Sequence, residues 1–128
     1  MTLSPRTLVS VSAVVLGGLI ALVAAAAMTA AGPTVRIGTA PGEAFAYVPT
    51  EVRVAAAGEV VIEFHNDSTV DHNLTFTGPL EGSTRTIVAP GEVERFAVRP
   101  PGPASYAFVC TIHEGMVGRL VIEAGSAG

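Results

Sequence analysis

The chain has no lysine, no tryptophan and a single cysteine in 128 residues, and only 14% of it is charged. A lone cysteine excludes an internal disulfide. It leaves an intermolecular bridge, a free thiol or a metal ligand. The seven cations are all arginines, the formal net charge is −4, and no basic stripe appears along the chain. That balance argues against a nucleic-acid partner. No stretch beyond the N-terminal segment repeats with the 3.6-residue period of a long amphipathic helix. No internal repeat is visible, and no second domain is expected.

Charge is also missing from the N-terminus. Arg6 is the sole charged residue among residues 1–31, and Leu8 to Ala31 carries none. Val11 to Val23 is apolar and runs into Ala24-Ala25-Ala26-Ala27. A basic start, an apolar middle and small residues describe a secretory signal. About 20 apolar residues also suffice for a retained membrane anchor. Either way, the expectation is an exported domain. It would lie in the periplasm or on the outer face of the plasma membrane, attached there if the segment is kept. No cysteine lies near this segment, so a lipidated N-terminal cysteine is excluded. Residues 32–128 are expected to form one small monomeric domain.

From Pro33 onward the apolar residues alternate. Val35 and Ile37, Val52 and Val54, and Val60, Ile62 and Phe64 each mark one face of a strand. His72, Leu74 and Phe76 do the same, as do Phe96 and Val98, then Tyr106, Phe108 and Cys110, then Leu120 and Ile122. Thr84 to Val88 is a further expected strand. Turn residues such as Asn66-Asp67-Ser68, Pro90-Gly91 and Pro100-Pro101-Gly102 separate these runs. Seven or eight short strands of this kind predict an all-β, antiparallel Greek-key β-sandwich, preceded by an apolar helix in residues 1–31.

One stretch carries the chemistry: Cys110-Thr111-Ile112-His113-Glu114-Gly115-Met116. It offers a thiolate, an imidazole and a thioether within seven residues. Two candidates supply a further imidazole. His65 falls in register with Glu63 and faces solvent, whereas His72 shares the inward face of Leu74 and Phe76. Taken singly, a cysteine is often a small buried hydrophobe, an inward histidine a satisfied polar group and a methionine a gap filler. Their coincidence in spacing and facing favours a metal site. Two histidines, one cysteine and a weak axial methionine suit one copper ion cycling between Cu(I) and Cu(II). The expected ligands are His72, Cys110, His113 and Met116.

These residues resemble the cupredoxin family of small blue copper proteins, with the short loop spacing of its amicyanin branch. The resemblance covers most of residues 32–128. It includes Phe45-Ala46-Tyr47-Val48-Pro49, His72-Asn73 and Tyr106-x-Phe108-x-Cys110. It implies that His72, Cys110 and His113 are equatorial ligands and Met116 the axial one. It also implies that Asn73 braces the loop through Thr111 and aims its backbone N–H at the sulfur. Departures are Val109, where plastocyanins tend to carry tyrosine, and Ile112 and Glu114, where many relatives have proline.

The function expected is single-electron transfer between redox partners docking near His113, with Gly115, Val117, Pro79 and Leu80 as an apolar rim. This is not an enzyme on that reading. Copper carriage or storage outside the membrane is the alternative, as is a small enzyme with a red copper site. Multicopper oxidases need His-x-His pairs, and a binuclear copper centre needs two cysteines. The sequence has neither.

Overall fold

A computed structural model describes residues 32–55 and 58–125. The expected signal or anchor in residues 1–31 lies outside the described residues, as does the apolar helix expected there.

The described residues form eight strands and no helix. They are β1 (Thr34–Thr39), β2 (Tyr47–Val48), β3 (Glu51–Ala55), β4 (Val60–His65), β5 (Thr75–Phe76), β6 (Val93–Val98), β7 (Ala104–Val109) and β8 (Val117–Glu123). One sheet has the order β2-β1-β4-β6 and the other β3-β8-β7-β5. The predicted sandwich is therefore present. Within it, β1 pairs with β4 and β3 with β8 in parallel, while the remaining pairs are antiparallel. Parallel neighbours need long crossover connections, and hydrophobic alternation carries no signal for strand direction.

The alternation itself holds. Val60, Ile62 and Phe64 of β4 are fully buried, and Tyr106 and Phe108 of β7 and Leu120 and Ile122 of β8 meet them from the second sheet. Each such side chain contributes about 1.5–3 kcal/mol when fully buried. Tyr47 and Phe76 pack their rings edge-on against Phe108, at centroid distances of 4.9 and 5.4 Å. Gly118 makes room for that cluster. A Cβ there would stand 2.3 Å from the Phe108 ring and 3.0 Å from the Thr50 carbonyl oxygen.

Two expectations need correction. Residues 84–88 form no strand: Val88 makes an isolated bridge to His72, the Thr84 N–H donates to the Leu74 carbonyl at 2.9 Å, and the neighbouring Ser83 bridges Thr75. Their polar groups serve other residues: the Thr84 hydroxyl accepts from the Leu74 N–H, and the Thr86 carbonyl accepts from the Asn73 side chain. Pro79 and Leu80 also lie far from the expected rim. They line a depression with Ala97, Val98 and Arg99. Val98 pairs with Val60 at the start of β4, whereas His72 lies beyond its end, near Asn66.

Candidate metal centre

The register between β5 and β7 builds the site. Thr75 lies opposite Val109. Continuing that register places Asn73 beside Thr111 and brings His72 and Cys110 to the same end. His72 lies three residues before β5 and Cys110 immediately after β7, two neighbouring strands of one sheet. The loop then leaves Cys110 and returns at Met116, whose carbonyl accepts the Cys110 N–H at 3.1 Å. Gly115, at φ 79°, allows that tight return.

Three donors converge. Cys110 Sγ lies 3.9 Å from His72 Nδ1 and 3.6 Å from His113 Nδ1, and the two Nδ1 atoms are 3.0 Å apart. All three fall within one cluster of metal-binding size. Bonds of about 2.0–2.1 Å to imidazole and about 2.3 Å to thiolate, as known for zinc, set trigonal donors about 3.5–3.8 Å apart. The three side chains are thus preset to within about half an ångström of a trigonal ligand set. His72, Cys110 and Met116 are buried, and His113 is half-buried. His65 is elsewhere, on β4, paired with Glu63.

Burial, then the neighbouring His113, lowers the His72 pKa. The ring is held neutral, as a metal ligand must be. Its Nε2 is buried and makes no hydrogen bond, so its polar contacts are on the Nδ1 side.

Asn73 ties the site together. Its Nδ2 donates to Thr111 Oγ1 and to the Thr86 carbonyl, each at 2.8 Å, and its Oδ1 accepts the Thr111 N–H at 3.0 Å. Its own backbone N–H points at Cys110 Sγ at 3.4 Å. Such second contacts fix ligand directions and tune a metal's potential. Tyr47 braces from below: its hydroxyl donates to the Asn73 carbonyl at 2.6 Å. Burial, and then the Cys110 charge, push its phenol pKa up, so it stays a donor.

Asn66 adds a contact the sequence did not announce. Its Nδ2 donates to the Val88 carbonyl at 2.8 Å, and that same carbonyl accepts the His72 N–H at 3.1 Å. Phe45 was also missed. Its ring stacks on His113, with centroids 4.1 Å apart and planes 10° apart, yet the residue stays 53% exposed. It precedes β2, so strand alternation carries no information about its direction.

A family model for the cupredoxin-like domain matches residues 13–122, and the chain belongs to that family. His72, Cys110, His113 and Met116 make up a ligand set of the type 1 copper kind. Among solved structures, reduced auracyanin from the photosynthetic bacterium Roseiflexus castenholzii is similar at 23% identity. The match covers 72% of this chain and 98% of that one, with TM-score 0.59. Auracyanin A, a "blue" copper protein from Chloroflexus aurantiacus, is 22% identical over 72% and 100%, with TM-score 0.58. A purple cupredoxin from Nitrosopumilus maritimus is 16% identical over 69% and 98%, with TM-score 0.56. At these identities the likenesses show the fold. The search of curated proteins found no match.

Proposed function

We propose that this protein carries single electrons between redox partners, using one copper ion that His72, Cys110, His113 and Met116 would hold. Bound copper supplies the one-electron Cu(I)/Cu(II) couple. The chain's own residues supply its frame. One observation carries the reading: three donor atoms already stand within about half an ångström of trigonal spacing, held by the Asn73–Thr111 brace. A preset site needs little rearrangement between oxidation states. Burial keeps His72 neutral with its lone pair free, and the Asn73 N–H places partial positive charge on the sulfur. His113, half-buried at the loop, is the ligand that reaches toward solvent.

Copper carriage is the competing reading, and it calls for a site that surrenders its ion. Three buried ligands and a doubly bonded brace favour retention. The non-enzymatic reading and the monomeric state belong to the same proposal, as does export guided by the apolar run of residues 1–31. Docking of redox partners near His113 belongs to it as well.

Voltammetry of the copper-loaded full chain tests this. A single reversible one-electron wave is expected, absent in Cys110→Ser. Rapid loss of copper to a competing chelator together with sluggish electron exchange would favour carriage. Turnover of a substrate at a red copper site would favour the enzyme.

A further inference from the structure

The segment between β5 and β6 is bonded on both sides. Thr84, Thr86 and Val88 face the residues that lead into β5. The Thr84 N–H donates to the Leu74 carbonyl at 2.9 Å, and the Thr86 carbonyl accepts from the Asn73 side chain at 2.8 Å. Val88 exchanges two backbone bonds with His72, at 2.9 and 3.1 Å. Arg85 and Ala89 turn the other way. The Arg85 N–H donates to Glu94 Oε1 at 2.8 Å, and its Nε donates to Glu94 Oε2 at 2.9 Å. Its Nη2 reaches Glu92 Oε2 at 2.9 Å, and the Ala89 N–H donates to that same oxygen at 2.9 Å. β5 and β6 are edge strands of different sheets. The segment is thus a strap between the sheets, bonded to residues 72–74 on one side and to the carboxylates of β6 and its preceding turn on the other.

The place of Glu94 gives this arginine its task. Glu94 lies opposite the buried Phe64 in the β4–β6 register, so it shares the inward face of β6 with Phe96 and Val98. A carboxylate on such a face needs both oxygens satisfied. Arg85 satisfies both, one with its backbone N–H and one with its guanidinium, and the planar fork still reaches Glu92.

We propose that Arg85 is a positioning residue for the metal centre. It clamps the strap to β6, and the strap holds the backbone of His72 and the side chain of Asn73. Through His72 the clamp sets where one donor stands. Through Asn73 it acts on the Thr111 brace and on the N–H aimed at Cys110 Sγ. The purpose of the clamp rests on the copper reading above, but its action on His72 and Asn73 is tested without copper.

Amide hydrogen exchange of the metal-free full chain, followed by NMR, is the first measurement. In R85Q the N–H groups of His72, Leu74, Thr84 and Val88 should exchange roughly fivefold faster, the scale of an exposed ion-pair network, while those of the β7–β8 ladder keep their rates. R85K keeps the charge without the fork and should recover part of the protection. High salt should speed the wild-type strap amides and leave those of R85Q unchanged. R99Q breaks an ion pair of the same 2.9 Å length, with Glu59, and should alter none of these rates. The copper-loaded full chain gives the second measurement. In R85Q the thiolate-to-copper absorption band should broaden, and copper should pass to a competing chelator roughly fivefold faster, matching the loosened strap. Unchanged strap exchange in R85Q, or equal acceleration throughout the fold, would overturn the clamp. Faster strap exchange with an unaltered band and chelator rate would overturn its link to the metal centre. A wild type without a thiolate-to-copper band would contradict the copper reading instead, and the exchange rates would then decide the clamp by themselves.

Discussion

The two sides of the metal centre are built by different means. On the inner side, the buried His72 and Cys110 stand just beyond β5 and β7, held by Asn73, Asn66 and Tyr47 through buried and part-buried hydrogen bonds. On the outer side, His113 rides on a seven-residue loop and is covered by one half-exposed ring, Phe45. Hydrogen bonds shielded from water hold geometry, and a missing partner leaves the other group desolvated and unpaired. An exposed ring holds little in place, but it offers a face to another protein. On the proposed reading, the inner side fixes the ligands and the outer side meets a partner.

Asn73→Ala breaks the inner side and should have the largest effect. It removes three part-buried hydrogen bonds, to Thr111 and to the Thr86 carbonyl, at a cost of about 1–3 kcal/mol. Denaturant unfolding of the metal-free chain measures it, and copper affinity should fall in parallel. A loss under about 0.5 kcal/mol, the size of an ordinary surface substitution, would deny Asn73 its role.

Gly118→Ala probes the packing beneath the same side. The added methyl meets the Phe108 ring and the Thr50 carbonyl. Overpacking of this kind costs about 1–3 kcal/mol, visible as a lowered denaturation midpoint with an unchanged slope.

Acid should also act on the inner side. In the unfolded chain His72 takes a proton near the ordinary imidazole value of about 6.5, whereas the fold keeps it neutral below that. The unfolded state then binds more protons. Stability of the metal-free protein is therefore complete above that pH and declines as pH falls through it toward the lower folded-state value. Glu51 behaves separately. Hydrogen bonding to Arg119 lowers its pKa, so its contribution is present above the usual carboxylate range and lost only at more acid pH. Unfolding midpoints of wild type and His72→Gln across this range separate the two. A wild-type curve that stays flat while the variant matches it would contradict the burial effect.

Met116→Leu sharpens the comparison without breaking the fold. A near-isosteric apolar replacement costs under about 1.5 kcal/mol. It removes the thioether while leaving the other three donors, so the thiolate absorption should persist and the reduction potential should rise. Phe45→Ala comes last. With half the ring exposed, stability should change by no more than about 0.5 kcal/mol, while partner binding weakens. A large stability loss would show that the ring holds the loop in place.

The inner side was the legible one. Alternation turned His72 inward with Leu74 and His65 outward with Glu63, and it set Cys110 behind Tyr106 and Phe108. The resemblance supplied Asn73 and Thr111. What escaped lies where period two stops. Phe45 sits before its strand, Asn66 just after one, and residues 84–88 meet His72 and Leu74 through scattered backbone bonds rather than a continuous ladder. Pro79 and Leu80 are near His72 in sequence, but β5 carries the chain from the site toward the opposite end. Strand direction was equally silent, because the parallel pairs β1–β4 and β3–β8 bury the same faces as antiparallel ones would.

The most direct test is the visible absorption spectrum of the full chain after addition of Cu(II), with Cys110→Ser measured alongside. A thiolate site braced as this one is predicts an intense blue thiolate-to-copper band that vanishes in the variant. A pale spectrum, or no tight copper binding at all, would contradict it.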